Sequence, residues 1–216
     1  MFITFEGLER AGKTTAIKAI EKYLQDNKIE KHFVITREPG GTGIKEAEII
    51  RSFVLSPEYN IDPMSEALLY LVSRKIHLTQ KIEPALQEGK IVICDRFIDS
   101  STAYQGFGRE LGFEKIQKLN DIVTNNMKPD ITFFIKITPQ TSWERVFNSE
   151  NKDIDRLENN GIAFYEKISN GYDEIIKQDA GRFIIIDGTL GLEEVSKEVI
   201  KELEKILEKN NFNLKK

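Results

Sequence analysis

The sequence predicts an α/β protein built on a central five-stranded parallel sheet flanked by helices. Two observations predict it. Five short apolar runs, Phe2–Phe5, Phe33–Thr36, Ile91–Cys94, Ile131–Ile137 and Phe183–Ile186, are rich in β-branched and aromatic residues. Each is nearly continuous in its hydrophobicity, as in strands covered on both faces, and helix-length segments separate them, as parallel crossovers require.

The elements follow in chain order. Phe2–Phe5 lacks a basic leader and a small-residue cleavage site, so it reads as a strand and not as a signal peptide, and the protein is expected in the cytoplasm. Lys13–Gln25 carries Ile17, Ile20, Tyr23 and Leu24 at the spacing of an amphipathic helix. After Phe33–Thr36, Pro63–Leu86 reads as a long helix. Asp62 caps it, Pro63 takes its first position, and Pro84 bends or interrupts it near the end. Strand Ile91–Cys94 holds the single cysteine, Cys94, as a small buried hydrophobe. Helices are expected at Phe113–Val123, Thr141–Phe147, Ile162–Ile176 and Leu192–Leu207, around the two remaining strands. The polar stretch from Asn148 to Asp155 reads as a mobile loop, the core of a short lid over about residues 145–157. The terminal residues are expected to fray.

Composition narrows the function. The 216 residues suit one domain, residues 1–216, and no linker or repeat divides them. No apolar stretch is long enough for a bilayer, so no membrane role is expected. A net charge of −4 argues against binding a nucleic-acid polymer, though a local basic cluster can still receive one nucleotide. With only His32 and His77 and one cysteine there is no cage for zinc, so any metal is expected to arrive with substrate.

The strongest motif is Gly7-Leu8-Glu9-Arg10-Ala11-Gly12-Lys13-Thr14, which has the glycine, four-residue and Gly-Lys-Thr spacing of a P-loop. A strand precedes it and a helix follows, the context the motif needs, which makes the expected fold that of the P-loop NTPases. Glycines let the backbone curl round phosphate oxygens, and the helix N-terminus adds positive potential. Lys13 is expected on the β- and γ-phosphates of ATP, and the Thr14 hydroxyl on a Mg²⁺ that bridges them. A guanine-reading motif is missing, since Asn151-Lys152-Asp153-Ile154 has isoleucine where aspartate belongs.

Strand three ends in Asp95-Arg96, at the edge where open α/β sheets bind ligands. Asp95 can hold Mg²⁺ through water and Arg96 can grip an acceptor phosphate in bidentate fashion; a strand-end salt bridge is the plainer alternative. Taken with Phe5-Glu6-Gly7-Leu8-Glu9, Thr36-Arg37-Glu38-Pro39-Gly40-Gly41-Thr42, the Asp95-Arg96-Phe97 and Ser100-Ser101-Thr102-Ala103-Tyr104-Gln105-Gly106 pair, and Asp155-Arg156-Leu157-Glu158, the chain closely resembles the thymidylate kinases.

The resemblance implies transfer of the γ-phosphoryl group of ATP to dTMP. It implies that Glu9 receives the sugar 3′-hydroxyl and that Arg37 and Arg96 hold the acceptor phosphate. Tyr70 would stack on thymine, Arg74 would bond a ring carbonyl, Ser101 and Gln105 would read the base edge, and Tyr104 would crowd the 2′ position. Read alone, Tyr70 is equally a core aromatic, Arg74 a solvated helix residue and Ser101 a helix-start cap. Arg51 and Arg109 are lesser candidates facing the acceptor.

Arg10 departs from the pattern of many bacterial members, which have glycine there and arginines in the lid. Here the lid core offers only Lys152, flanked by Arg145 and Arg156. The transition-state arginine is therefore expected in the P-loop, as in the other class of the family; a surface arginine pointing away is the alternative. Catalysis is assigned to Arg10, Lys13 and Arg96. Other nucleoside or nucleoside-monophosphate kinases and a nucleotide-binding module without turnover are the rival readings. The resemblance further implies a homodimer.

Overall fold

The computed structural model describes residues 1–148 and 160–210. All five expected strands are present, as β1 (Phe2–Glu6), β2 (Phe33–Arg37), β3 (Ile91–Asp95), β4 (Ile131–Lys136) and β5 (Phe183–Asp187). They form one sheet in the order β2-β3-β1-β4-β5, with every pairing parallel. All five residues of β1 are buried, as its central place demands.

Side chains alternate across the sheet and divide the core in two. Ile3 and Phe5 join Ile93, Phe133 and Ile135 beneath Ile17 and Ile20 of α1 (Lys13–Asp26) and Val199 and Leu203 of the last helix. Phe5 stacks on Phe133 with ring centroids 5.0 Å apart. On the other face Phe2, Val92 and Cys94 meet Leu78, Ile82 and Phe97. Glu6 shares the face of Phe2 and Thr4, so its carboxylate is carried beneath the sheet edge, away from the loop it precedes.

The remaining helices are α2 (Lys45–Leu55), α3 (Pro63–His77), α4 (Glu83–Gln87), α5 (Ile98–Ser101), α6 (Phe113–Thr124), α7 (Pro139–Phe147), α8 (Ile162–Gln178) and α9 (Leu192–Lys209). Asp62 caps α3 as expected, accepting from the N–H groups of Met64 and Ser65. A wide π turn, Leu78–Ile82, interrupts the long helix just before Pro84. Proline supplies no N–H and its ring crowds the carbonyl one turn back, so the wider turn falls where a regular one would clash.

Two helical segments escape the sequence reading. In α2 only Ala47 and Val54 are buried while Ile49 and Phe53 face outward, so apolar residues on both sides blur the helical period. The other is α5 with the π-turned stretch Thr102–Gly108 that continues it. Its serine, threonine and glycine content lowers helix propensity, and packing against α8 holds it instead. The approach is close: a methyl group on Gly171 would lie 2.8 Å from the Phe107 ring. Ser101 therefore lies within a helical run and is no start cap.

Candidate active site

The first glycine of the loop is required by its surroundings. Gly7 has φ 140°, and a Cβ there would meet the Ile135 carbonyl oxygen of β4 at 2.5 Å. Gly12, at φ 107°, turns the chain into α1, whose first residue is Lys13. Lys13 is buried and donates to the carbonyls of Gly7 (3.1 Å) and Leu8 (2.8 Å). Burial, with the nearby charge of Arg96, pushes its pKa down to about 8. Thr14 donates to Asp95 Oδ2 at 3.3 Å, whereas Asp95 Oδ1 is buried with no hydrogen-bond partner among the described residues. A hydroxyl and a carboxylate with an orphaned oxygen, at the mouth of a phosphate loop, are the hard oxygen donors that Mg²⁺ prefers.

Arg96 joins this loop to the acceptor side. It follows β3 with φ 69°, outside the usual range for a residue other than glycine, and its N–H bonds the Phe5 carbonyl. One nitrogen, Nη2, donates to Glu9 at 2.7 Å and Tyr104 at 3.2 Å. The other, Nη1, donates to Gly7 O at 3.1 Å and Ser100 Oγ at 3.0 Å, with Tyr172 Oη at 3.5 Å. Burial would raise the Glu9 pKa, but Arg96 and Lys13 hold it below the usual carboxylate range. The salt-bridge alternative for Arg96 is thus realised, but with Glu9 and not Asp95.

Behind this pair sits Glu6, fully buried. It accepts from the N–H groups of Phe97 and Ser100, from Ser100 Oγ at 2.6 Å and from Tyr172 Oη at 2.8 Å. Burial pushes its pKa up to about 7, the charge of Asp99 adds to the effect, and Arg96 and the hydrogen bonds work against it.

A single cavity of about 630 Å³ is lined at one end by Arg10 to Thr15 and at the other by Tyr70, Arg74, Ser101 and Gln105, with Glu9, Asp95 and Arg96 between. Tyr70 is 8% exposed, compatible with both of its readings. Arg74 is not the solvated residue of its plainer reading; at 2% exposure it bonds Glu38 (2.7 Å), Asn120 and the Phe97 carbonyl (2.9 Å). Glu38 also takes His77, which reaches Thr36. Gln105 donates to Glu66 at 2.9 Å, and Glu66 pairs with Arg109. Arg37 lines the cavity with its fork on Glu48, at 2.9 and 3.0 Å, and Arg51 bonds the Pro39 carbonyl.

Of the two arginines expected at the flanks of the lid, Arg145 lies within the described residues. Arg145 belongs to α7, and its guanidinium bonds the carbonyls of Arg10 (3.1 Å) and Gly188 (3.2 Å), so it braces the P-loop from a helix. The rest of the expected lid lies in residues 149–159, outside the described residues, and Arg156 with it. Sequence reasoning passed over Glu6, Glu38, Glu66, Ser100 and Tyr172 as individual contributors. Glu6, Glu38 and Ser100 lay within recognised motifs, whereas Tyr172 gave no signal beyond an aromatic on the apolar face of a helix.

Comparison with known proteins agrees with this geometry. The family model described as Thymidylate kinase matches residues 5–199. The chain is 45% identical over 207 residues to a thymidylate kinase of Mesomycoplasma hyopneumoniae (strain 7448), spanning 95% of this chain and 97% of the relative. It is 40% identical over 212 residues to one of Ligilactobacillus salivarius, covering 98% of each. A crystal structure of thymidylate kinase from Ehrlichia chaffeensis superposes with TM-score 0.75 at 35% identity, covering 94% of this chain and 98% of that one.

The buried carboxyl of Glu6 links stability to pH. Between its ordinary value of 4.5 and about 7 the folded chain keeps a proton that the unfolded chain has released. Its contribution is fully present below the lower value and lost as pH rises through the upper one. Urea unfolding from pH 4.5 to pH 8 is expected to lose less stability in Glu6→Gln than in the parent.

Proposed function

We propose how this chain, which belongs to the thymidylate kinase family, uses the cavity between its P-loop and the end of β3. The chain is an ATP-dependent phosphotransferase, a thymidylate kinase, which transfers the γ-phosphoryl group of ATP to dTMP to give dTDP and ADP. The observation that carries the residue assignments is the continuity of that cavity. Triphosphate-loop residues and the acceptor-side set line one space, with Arg96 at the junction.

Gly7 to Thr14 hold the triphosphate of ATP, with Lys13 exchanging loop carbonyls for phosphate oxygens. Arg96 grips the phosphate of dTMP, with Arg37 as a second cation. Glu9 and Tyr104, which share the Arg96 fork, face the deoxyribose. Tyr70, Arg74, Ser101 and Gln105 form the base end. Buried partners fix the Arg74 and Gln105 side chains, which favours recognition by shape and preset donors over adjustment. Thr14 and Asp95 are the residues to hold Mg²⁺, which supplies charge neutralisation when it is bound with ATP. The acceptor is already an oxyanion, so alignment and electrostatics suffice and no general base is required.

Arg10 supplies the positive charge for the transferred group. It lines the cavity from an exposed position with φ 57°, and Arg145 bonds its carbonyl, which fixes the backbone that carries it. The residues assigned here lie within one matched stretch, which supports a single catalytic unit. A second copy of the chain is the partner. Ile49 and Phe53 on α2, Leu68 and Val72 on α3 and Ile122 on α6 are between 40% and 73% exposed, and α3 packs against both other helices. Such an apolar face on adjacent helices fits a homodimer interface. No helix among the described residues is long and apolar enough to cross a membrane, which is compatible with work in the cytoplasm.

A coupled ADP-release assay across dTMP, dUMP, dCMP, dGMP and thymidine is expected to give the highest kcat/KM with dTMP. Preference for thymidine would overturn the monophosphate assignment. Arg10→Ala is expected to lower kcat by roughly 10³-fold, within the range for arginines that stabilise phosphoryl transfer, against about tenfold or less for Arg145→Ala. Single-turnover rates showing the reverse order would move the role to Arg145. Light scattering of a Leu68→Glu, Val72→Glu double variant is expected to report the monomer mass where the parent reports twice it.

A further inference from the structure

Glu6 is not among the residues that line the cavity, yet two of the groups it accepts from, the hydroxyls of Ser100 and Tyr172, also meet the Arg96 guanidinium. Above about pH 7, where the Glu6 carboxyl is ionised, it can only accept hydrogen bonds. The protons of Ser100 Oγ and Tyr172 Oη therefore both point at Glu6 Oε2, at 2.6 and 2.8 Å. The two hydroxyls also lie 3.0 Å apart, but with both protons on Glu6 neither donates to the other, and their lone pairs face the N–H groups of Arg96 Nη1.

We propose that Glu6, acting through Ser100 and Tyr172, is a positioning residue for acceptor binding that orients both hydroxyls so that oxygen lone pairs and not protons face Arg96. The proposal rests on the reading of Arg96 as the grip on the acceptor phosphate. Arg96 lies between two carboxylates of different kinds. Glu9 touches Nη2 directly and borders the cavity, so an arriving phosphate dianion competes with it for that side of the fork. Glu6 reaches Nη1 only through hydroxyls and is shielded from the cavity. It keeps the inner half of the fork in place while the outer half changes partner. The Arg96 backbone, at φ 69°, gives the side chain no help from an ordinary conformation, so side-chain partners must set its aim.

Glu6→Gln probes orientation with little change of shape. The amide oxygen can still accept from the backbone N–H groups of Phe97 and Ser100. The amide NH₂ then stands where Oε2 accepted and takes no proton from either hydroxyl; one proton can pass between the two across their 3.0 Å contact, but the other is turned toward the guanidinium, donor against donor.

Calorimetric titration at pH 8 is expected to show the Kd for dTMP raised roughly tenfold in Glu6→Gln, with the Kd for a non-hydrolysable ATP analogue changed by less than about twofold. In an Arg96→Ala background, Glu6→Gln is expected to add less than about twofold, because its effect passes through Arg96. Equal weakening of both ligands, or full additivity with Arg96→Ala, would show a merely structural role and overturn the proposal. Unchanged dTMP affinity in Arg96→Ala alone would overturn the grip itself, and the proposal with it. Should Glu6→Gln fail to fold, Tyr172→Phe and Ser100→Ala carry the same expectation, and loss of the split between the two ligands in both would overturn it.

Discussion

The carboxyl edge of the sheet is organised around one guanidinium. Arg96 follows β3, bonds the carbonyl of Gly7 in the P-loop, pairs with Glu9 two residues further along that loop, stacks over Tyr104 at 4.9 Å and reaches Tyr172 on α8. Four elements far apart in the chain are thereby held in one register. A buried arginine pays for lost hydration only if its donors are met, and here protein oxygens meet them from both ends of the fork. The arrangement is held most firmly on the side facing the protein and is open on the side facing the cavity. That asymmetry lets a structural ion pair double as a ligand site.

The same economy recurs at the base end. Arg74 is buried against Glu38, Asn120 and a main-chain carbonyl, and Glu66 ties Gln105 to Arg109. Arg74 and Gln105, which line the cavity, are each backed by a buried carboxylate. Such networks resist rearrangement because an unpaired member costs more than a paired one returns. They also show how a net-negative chain presents a cavity rich in cations: Arg37, Arg74 and Arg96 are each paired with a glutamate, Glu48, Glu38 and Glu9.

Legibility in the sequence followed distance along the chain. The strands were readable because burial on both faces leaves continuous apolar runs, and the P-loop because its spacing is local. Ser101, Tyr104 and Gln105 were readable as a set through a motif, although the π-turned helix that carries them was not, since its stability comes from α8 and not from its own residues. Tyr172 had no local signature at all. Its hydroxyl acquires meaning only when folding brings it to Glu6 and Ser100. Arg145 was legible as a residue of a helix that ends beside the expected lid, but its bonds to the Arg10 and Gly188 carbonyls were not, since both partners are distant in the chain. The outward apolar residues of α2 hid that helix for a related reason: residues suited to meet another molecule disturb the pattern by which one chain is read.

The sheet order carries a last consequence for biosynthesis. β1 is central, but its neighbours β3 and β4 begin only at Ile91 and Ile131. The strand that carries the P-loop therefore leaves the ribosome with neither edge covered, and both must wait for distant partners. At translation rates of about 5–20 residues per second that interval lasts several seconds. Phe2-Ile3-Thr4-Phe5 is apolar, prone to β structure and uncharged until Glu6, so the segment that positions the phosphate loop is also the one most in need of protection while the chain is being made.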